Sequence, residues 1–388
     1  MGDVSSCPPL TRSSVQAAHE AIKQHIHRTP TITCDTISHL ASTPQSADSL
    51  KGTPFEGRTP AKPQISLFFK CENYQKIGAF KARGAFHALS RLSKEELSKA
   101  VVTHSSGNHA QALALAARTH GIPAHIVMPT ISTPSKIAAT KGYGANVIFS
   151  GSTSDEREAV VADVIRDTGA ILVPPYDHPN IMLGQGTLAL ELEEQAKDFV
   201  ARGLDAVVAP CGGGGMLSGV ATALHGTGIR VFGSEPSFEG ADDAKRGVES
   251  GERVEKVKTL TIADGLRTPL GKIPWTIISD PEKVKGMYSV SEEQIKAAMR
   301  LLLERAKVFV EPSAAVPLAV ILYDEDFRSV VEKEGGEQGW NIGVVLSGGN
   351  TTVEAIAKLF QPASEQQAER QESKLGMDGK KVAENVAG

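Results

Sequence analysis

The chain has 388 residues, 40% of them hydrophobic and 22% charged, which is enough to close a sizeable core in two lobes. Its formal net charge of −4, with Lys and Arg spread along the chain, excludes the basic footprint of a nucleic-acid or anionic-membrane binder. No stretch approaches the apolar length of a membrane span, and the N-terminus lacks the apolar core of a secretory signal.

In chain order, residues 1–12 read as a flexible arm. Residues 14–26 read as an amphipathic helix, with Val15, Ala18, Ile22 and Ile26 on one stripe. Residues 41–64 are rich in Ser, Thr, Pro, Gly and Lys and read as an exposed inserted loop. Short β-rich runs then alternate with helical patterns. The runs are 65–71, 100–103, 124–128, 145–149, 170–173, 205–209, 229–233 and 342–346; helical patterns include 109–119 and 187–199. The polar tail 361–388 reads as disordered. Strand–helix repetition implies an α/β fold with parallel sheets covered by helices on both faces. We expect a large domain from 13–99 and 178–360, and a small one from 100–177. Ligands in such sheets sit beyond the carboxyl ends of the strands. The four cysteines, Cys7, Cys34, Cys71 and Cys211, are far apart without metal-ligand spacing, so reduced thiols and the cytosol are expected.

Four short stretches carry chemistry at such positions. Lys81, in Gly78-Ala-Phe-Lys-Ala-Arg-Gly84, has apolar neighbours that would ease loss of its proton and make it a nucleophile. Ser105-Ser-Gly-Asn-His109 follows a strand and enters a helical pattern; alone it could merely cap that helix. The run Gly212, Gly213, Gly214, Gly215 follows another strand and opens a helix. Without Cβ atoms its backbone can approach an anion and aim several N–H groups at it. It lacks the Lys-Ser/Thr pair of a P-loop and the spacing of a dinucleotide fingerprint, and so suits a lone phosphate monoester. Ser347-Gly-Gly-Asn350 follows the last strand. An amine, an amide, a phosphate cradle and hydroxyls are the groups that hold pyridoxal phosphate. Glu235, with Asp242 and Asp243 a few residues on, is a weaker constellation; carboxylates there could hold Mg²⁺ or Ca²⁺, but spacing alone favours solvated loop acids.

Together with His27-Arg-Thr-Pro30, Phe69-Lys-Cys-Glu72, Gly184-Gln-Gly-Thr187, Ala263-Asp-Gly265 and Glu311-Pro-Ser313, these motifs resemble the serine/threonine dehydratase and serine racemase family of pyridoxal phosphate enzymes. The likeness runs from about Val15 to Phe360. It implies the tryptophan synthase β-like architecture, PLP fold type II. It implies Lys81 as the covalent anchor of the cofactor aldehyde and the base at the substrate Cα. Gly212 to Gly215 and Met216 would bind phosphate, Asn108 the ring oxygen and Ser347 the ring nitrogen, with Glu311 among the cofactor contacts. Ser106 would face Lys81 from the opposite side. His104, Ser105, Arg157 and Thr268 resemble positions that engage the substrate carboxylate. Glu235, the carbonyl of Gly240 or Ala241, and Asp243 resemble a divalent-cation site for Mg²⁺, Ca²⁺ or Mn²⁺, at a longer spacing.

Ala79-Phe-Lys81 is reminiscent of the threo-3-hydroxyaspartate dehydratase branch, and Arg267 beside Thr268 would help bind a second carboxylate. The resemblance therefore implies a homodimeric ammonia-lyase acting on L-serine, L-threonine or threo-3-hydroxyaspartate, with some serine racemisation. A β-replacement synthase of the same fold and a non-catalytic pyridoxal phosphate carrier are the alternatives.

Overall fold

A computed structural model describes residues 4–361; the expected disordered tail from 362 on, and residues 1–3 of the expected arm, lie outside the described residues. Among the described residues the ten strands are β1 (Thr31–Thr33), β2 (Ile65–Cys71), β3 (Val101–His104), β4 (Ala124–Pro129), β5 (Asn146–Ser150), β6 (Ile171–Leu172), β7 (Ala206–Pro210), β8 (Arg230–Pro236), β9 (Gly286–Val290) and β10 (Trp340–Leu346). They form two sheets. One has the order β1-β2-β10-β7-β8-β9, the other β5-β4-β3-β6. Every pairing is parallel except β1 with β2. This is the α/β plan of parallel sheets expected from strand–helix repetition.

Burial explains which strands the sequence announces. β7 and β10 are buried at every residue, as central parallel strands between two helical layers must be. β1 and β9, which the sequence pattern does not reveal, are both edge strands. An edge needs no continuous apolar run, and Thr31-Ile-Thr33 and Gly286-Met-Tyr-Ser-Val290 have none.

The first helix is Arg12–Ile22, not 14–26. Thr11 opens it by accepting from the Ser14 N–H at 3.3 Å. It closes where the His25 N–H turns back to the Ile22 carbonyl, although Ile26 stays buried. The helix expected at 187–199 runs instead over Pro179–Ala196. Segment 41–64 includes the end of the helix Asp35–Ser42 and a short turn of helix at Ala47–Leu50. Its two ends are anchored. Buried Arg328 donates to the carbonyls of Ala41 (2.6 Å) and Thr43 (2.8 Å), and Glu325 accepts from the Ala61 N–H at 2.7 Å.

A neutral cluster of four fully buried charges ties three elements together. Arg83, in the helix Lys81–Ser90, makes two 2.8 Å bonds to Glu72, just past β2. It makes two more of 2.8 Å to Glu191, in the helix Pro179–Ala196. Lys70 of β2 reaches the same Glu191 at 2.7 Å. Burial alone would raise the Glu191 carboxyl, but Arg83 and Lys70 hold it below its ordinary range. The residue that starts this helix is Lys81, so the cluster fixes the base of the site.

A second compact unit begins at Thr351. It contains the helix Val353–Phe360, which Thr352 caps by accepting from the Ala355 N–H at 3.1 Å.

Candidate active site

Lys81 sits at the first turn of its helix because the chain before it makes a tight left-handed bend. Ile77 has φ +62° and Gly78 φ +74°. Ile77 is β-branched, so this is a strained conformation that its surroundings must enforce. The bend brings Ala79 into an antiparallel bridge with Gly348, and the Phe80 N–H donates to the Ser347 carbonyl at 3.1 Å. The first and last of the four motifs are thereby joined through backbone. The Lys81 Nζ donates to the Pro175 carbonyl at 2.8 Å. Burial pushes its pKa down to about 8, against the pull of Glu311, which favours the charged form. An appreciable fraction of neutral, nucleophilic amine follows near neutral pH.

The glycine turn lies on the residue next to that carbonyl. A Cβ on Gly213 would come within 2.4 Å of the Tyr176 ring, and one on Gly215 within 3.0 Å of the Tyr176 Cα. A Cβ on Gly212 would meet the Leu266 backbone at 2.9 Å. Gly214 has φ +83° and precedes the helix Gly215–Leu224. The first N–H groups of that helix, with Met216 in its opening turn, lack intrahelical acceptors and carry the positive end of its dipole. Pro175 and Tyr176 therefore place the Lys81 amine and the phosphate cradle on the same short stretch of chain.

Asn108, Glu311 and Asn350 form a second cluster. Asn108, the first residue of the helix Asn108–His120, donates through Nδ2 to Glu311 at 3.0 Å and accepts through Oδ1 from Asn350 Nδ2 at 2.7 Å. Glu311 is buried, which lifts its carboxyl to about 7; Asp264 adds to the rise, while Asn108 and the Asn350 N–H oppose it. The Glu311 N–H donates to the Gly348 carbonyl at 3.0 Å. Ser347 is 3% exposed at the carboxyl end of β10. These contacts connect Asn108, Glu311 and Ser347 directly to the Lys81 bend. Pyridoxal phosphate fits this set: an amine of lowered pKa, a cradle without Cβ atoms, an amide donor and a hydroxyl.

The expected substrate residues gather less closely. Ser105, Ser106 and His104 are partly buried between β3 and the helix Asn108–His120. Ser105 Oγ accepts from the Gly107 N–H at 3.3 Å. Burial lowers the His104 pKa, and the nearby Arg157 charge lowers it further, which places Arg157 beside the same turn. The Arg157 guanidinium also donates to the Ser152 carbonyl at 3.0 Å. Thr268 is exposed, two residues past Leu266. Arg267 is braced within its own loop. Its Nε and Nη2 donate to the Thr261 carbonyl at 2.9 and 2.6 Å, so the guanidinium closes its own loop. His109 is structural: Nε2 meets the Val173 carbonyl at 3.0 Å, and burial pushes its pKa down to about 3.

Glu235 and Asp243 are both buried, against the reading of solvated loop acids. Burial raises the Glu235 carboxyl well above its usual range, and Asp243 raises it further. Burial likewise lifts Asp243 to about 6. Asp243 Oδ1 is a buried oxygen without a hydrogen-bond partner. Ala241, between them in sequence, is buried as well. Among the described residues, no group of three or more His, Cys, Asp or Glu side chains is placed to hold a metal. A cation here would need main-chain oxygen to complete two carboxylates, and such a donor set suits Mg²⁺ or Ca²⁺.

Three contributors escape sequence reasoning. Pro175 offers only a carbonyl and Tyr176 only a packing surface, so neither has a side-chain signature. Asn350 stands inside a recognised motif, but its role depends on a distant carbonyl. An ion pair of 2.8 Å between Lys136 and Asp264 adds a link from the helix Pro134–Gly142 to the loop against the glycine turn.

Residues 50–348 match the family model described as "Pyridoxal-phosphate dependent enzyme". The chain is 41% identical over 350 residues to a serine racemase of Arabidopsis thaliana, covering 90% of this chain and 95% of that protein. It is 38% identical over 348 residues to a beta-hydroxyaspartate dehydratase of Paracoccus denitrificans, covering 89% and 98%. The solved structure of maize serine racemase superposes with a TM-score of 0.78 at 36% identity, covering 93% of this chain and 99% of that one.

Proposed function

The chain belongs to the pyridoxal-phosphate dependent enzymes, and on that premise we propose that it is a dehydratase (ammonia-lyase) of L-serine, L-threonine or threo-3-hydroxyaspartate that also racemises serine. The products are a 2-oxo acid and ammonia. One observation carries the reading: the buried Lys81 amine rests on Pro175, whose neighbour Tyr176 is seated on the Gly212–Gly215 turn.

Pyridoxal phosphate, when bound, supplies the electron sink for charge developing at the substrate Cα. The N–H groups from Gly212 to Met216 would hold its phosphate. Asn108 Nδ2 would donate to its ring oxygen, within reach of Glu311, and Ser347 Oγ would face its ring nitrogen. A hydroxyl cannot keep that nitrogen protonated as a carboxylate would, and this favours fast elimination over transamination. His104, Ser105, Arg157 and Thr268 would orient the substrate carboxylate. The Lys81 Nζ takes the Cα proton from one face, a transfer worth about 10²–10⁴-fold. Ser106 delivers or removes a proton from the other. The β-hydroxyl departs as water, taking the proton that Lys81 Nζ removed from Cα, and a water molecule then hydrolyses the resulting enamine to the 2-oxo acid and ammonia.

The test is incubation of the purified holoenzyme with each hydroxyamino acid, with and without Mg²⁺. The reading expects 2-oxo acid and ammonia in equal amounts, with D-serine from L-serine. Thiol-dependent product without ammonia would identify a β-replacement synthase instead. A yellow protein that forms no product would identify a carrier. Ser106→Ala is expected to lose racemisation by about 10²-fold or more, the scale of one positioned proton transfer, while elimination from L-serine falls far less. Equal losses in the two assays would argue against two opposed bases.

We also propose a divalent cation, Mg²⁺ by preference, on Glu235, Asp243 and the carbonyl of Ala241. Two adjacent buried carboxyls with raised pKa values support it, because a cation would relieve both. Mg²⁺ at 100 times its Kd is expected to stabilise the fold by about 2.7 kcal/mol. The shift should vanish in Glu235→Gln, as read by thermal unfolding; an equal shift in that variant places the ion elsewhere. For assembly we propose a homodimer. Half-exposed Tyr74 and Phe309, on segments joined by the Asn73 Nδ2 bond to the Phe309 carbonyl (3.1 Å), offer it an apolar face. For location we propose the cytosol, in keeping with four free cysteines. Among the described residues, no helix is long and apolar enough to cross a membrane.

A further inference from the structure

We propose that Asn350 is a positioning residue, whose amide locks the orientation of Asn108 and pins the left-handed bend that delivers Lys81. The inference deepens the cofactor-site reading and rests on it.

Hydrogen-bond direction fixes the orientation of both amides. The Ile77 carbonyl can only accept, so the Asn350 atom 2.7 Å from it must be the amide nitrogen. That same Nδ2 lies 2.7 Å from Asn108, so the Asn108 atom facing it must be the oxygen. The Asn108 nitrogen is then turned to Glu311, 3.0 Å from its nearer carboxylate oxygen. One carbonyl of the main chain thus dictates, through two amides, which side of Asn108 carries N–H. Asn108 Nδ2 carries two hydrogens; its contacts to Glu311, at 3.0 and 3.4 Å, both go to one carboxylate, so one hydrogen can serve them while the other meets the cofactor ring oxygen. A flipped Asn108 would present a carbonyl oxygen to that ring oxygen and to Glu311, which is repulsive at both.

The same residue holds the bend. Asn350 Oδ1 occupies the space where a Gly78 Cβ would stand, 2.8 Å away. The Gly349 N–H donates to the Gly78 carbonyl at 2.9 Å, and the Asn350 N–H reaches the Glu311 carboxylate. The strained φ of Ile77 therefore has its carbonyl fixed from the side by Asn350. Nothing about the Ser347–Asn350 motif alone would assign its last residue this task.

The test is a double-mutant cycle read by cofactor affinity and by the visible absorbance band, alongside turnover. Asn350→Ala is expected to weaken pyridoxal phosphate binding about tenfold, which is about 1.4 kcal/mol, and to shift the visible band. In an Asn108→Ala background, where no amide remains to orient and only the bend is left to hold, the same substitution should cost clearly less, about threefold. Asn350→Asp keeps the shape but removes both donated bonds, and should match Asn350→Ala even if the smaller residue folds poorly. An equal loss in both backgrounds overturns the proposal, because it means that Asn350 acts independently of Asn108. So does an unshifted band with undiminished affinity in either Asn350 variant. A wild-type protein without a visible band overturns the cofactor reading itself, and with it the proposal.

Discussion

Lys81→Ala is expected to yield a colourless, inactive protein that still folds. The amine is the nucleophile that anchors the cofactor and the base that removes the Cα proton, so no partial substitute remains nearby. The loss of positioned proton transfer alone costs about 10²–10⁴-fold, and loss of the covalent anchor adds to it. The Lys81 amine holds a single carbonyl, that of Pro175, and makes no ion pair among the described residues, so truncating it breaks one hydrogen bond and no salt bridge. Absorbance of the purified protein and a 2-oxo acid assay decide the matter. A yellow and active variant refutes the assignment. The glycine turn should be unaffected, so free pyridoxal phosphate is expected to bind weakly and reversibly to the variant.

Arg83→Met should have the largest effect on stability. It removes the cation shared by Glu72 and Glu191 and leaves two carboxylates buried with Lys70 as their one remaining buried cation. Breaking such a buried pair costs about 3 to 5 kcal/mol, a large part of the stability of most domains. Urea unfolding should show a lowered midpoint, the shift being that free energy divided by the denaturant slope. Adding Glu72→Gln to Arg83→Met removes one orphaned charge and should recover part of it. An unchanged midpoint in the single variant would show that the cluster contributes little. Recovery would show that the loss comes from stranded charge rather than from the lost length of the side chain.

What the sequence reveals of this molecule follows from where its information lies. The central strands were legible because burial on both faces demands continuous apolar runs such as Ala206-Val-Val-Ala209. The edge strands β1 and β9 carry no such demand. The start of Pro179–Ala196 was hidden by Gly184 and Gly186, which are poor helix formers placed inside a helix by packing. Lys81, the glycine turn, Asn108 and Ser347 stood out because their chemistry lies in their own side chains, or in lacking one. Glu311 was seen only through resemblance. Arg83 carries no signal in the sequence because a charged residue on a helix is ordinarily solvated, and its two carboxylates lie on distant segments. Pro175 and Tyr176 were invisible because a carbonyl and a ring face acquire meaning only when the chain is folded.

That dipeptide constrains how the enzyme could be redesigned. The carbonyl under the amine and the ring on the cradle belong to consecutive residues, so they move as one rigid piece. Widening the cradle for a bulkier vitamer by re-angling Tyr176 would also re-aim the lone pair that steadies Lys81. Anchor and nucleophile cannot be tuned apart at this point. A successful variant would have to alter the far wall, around Gly265 and Leu266, instead.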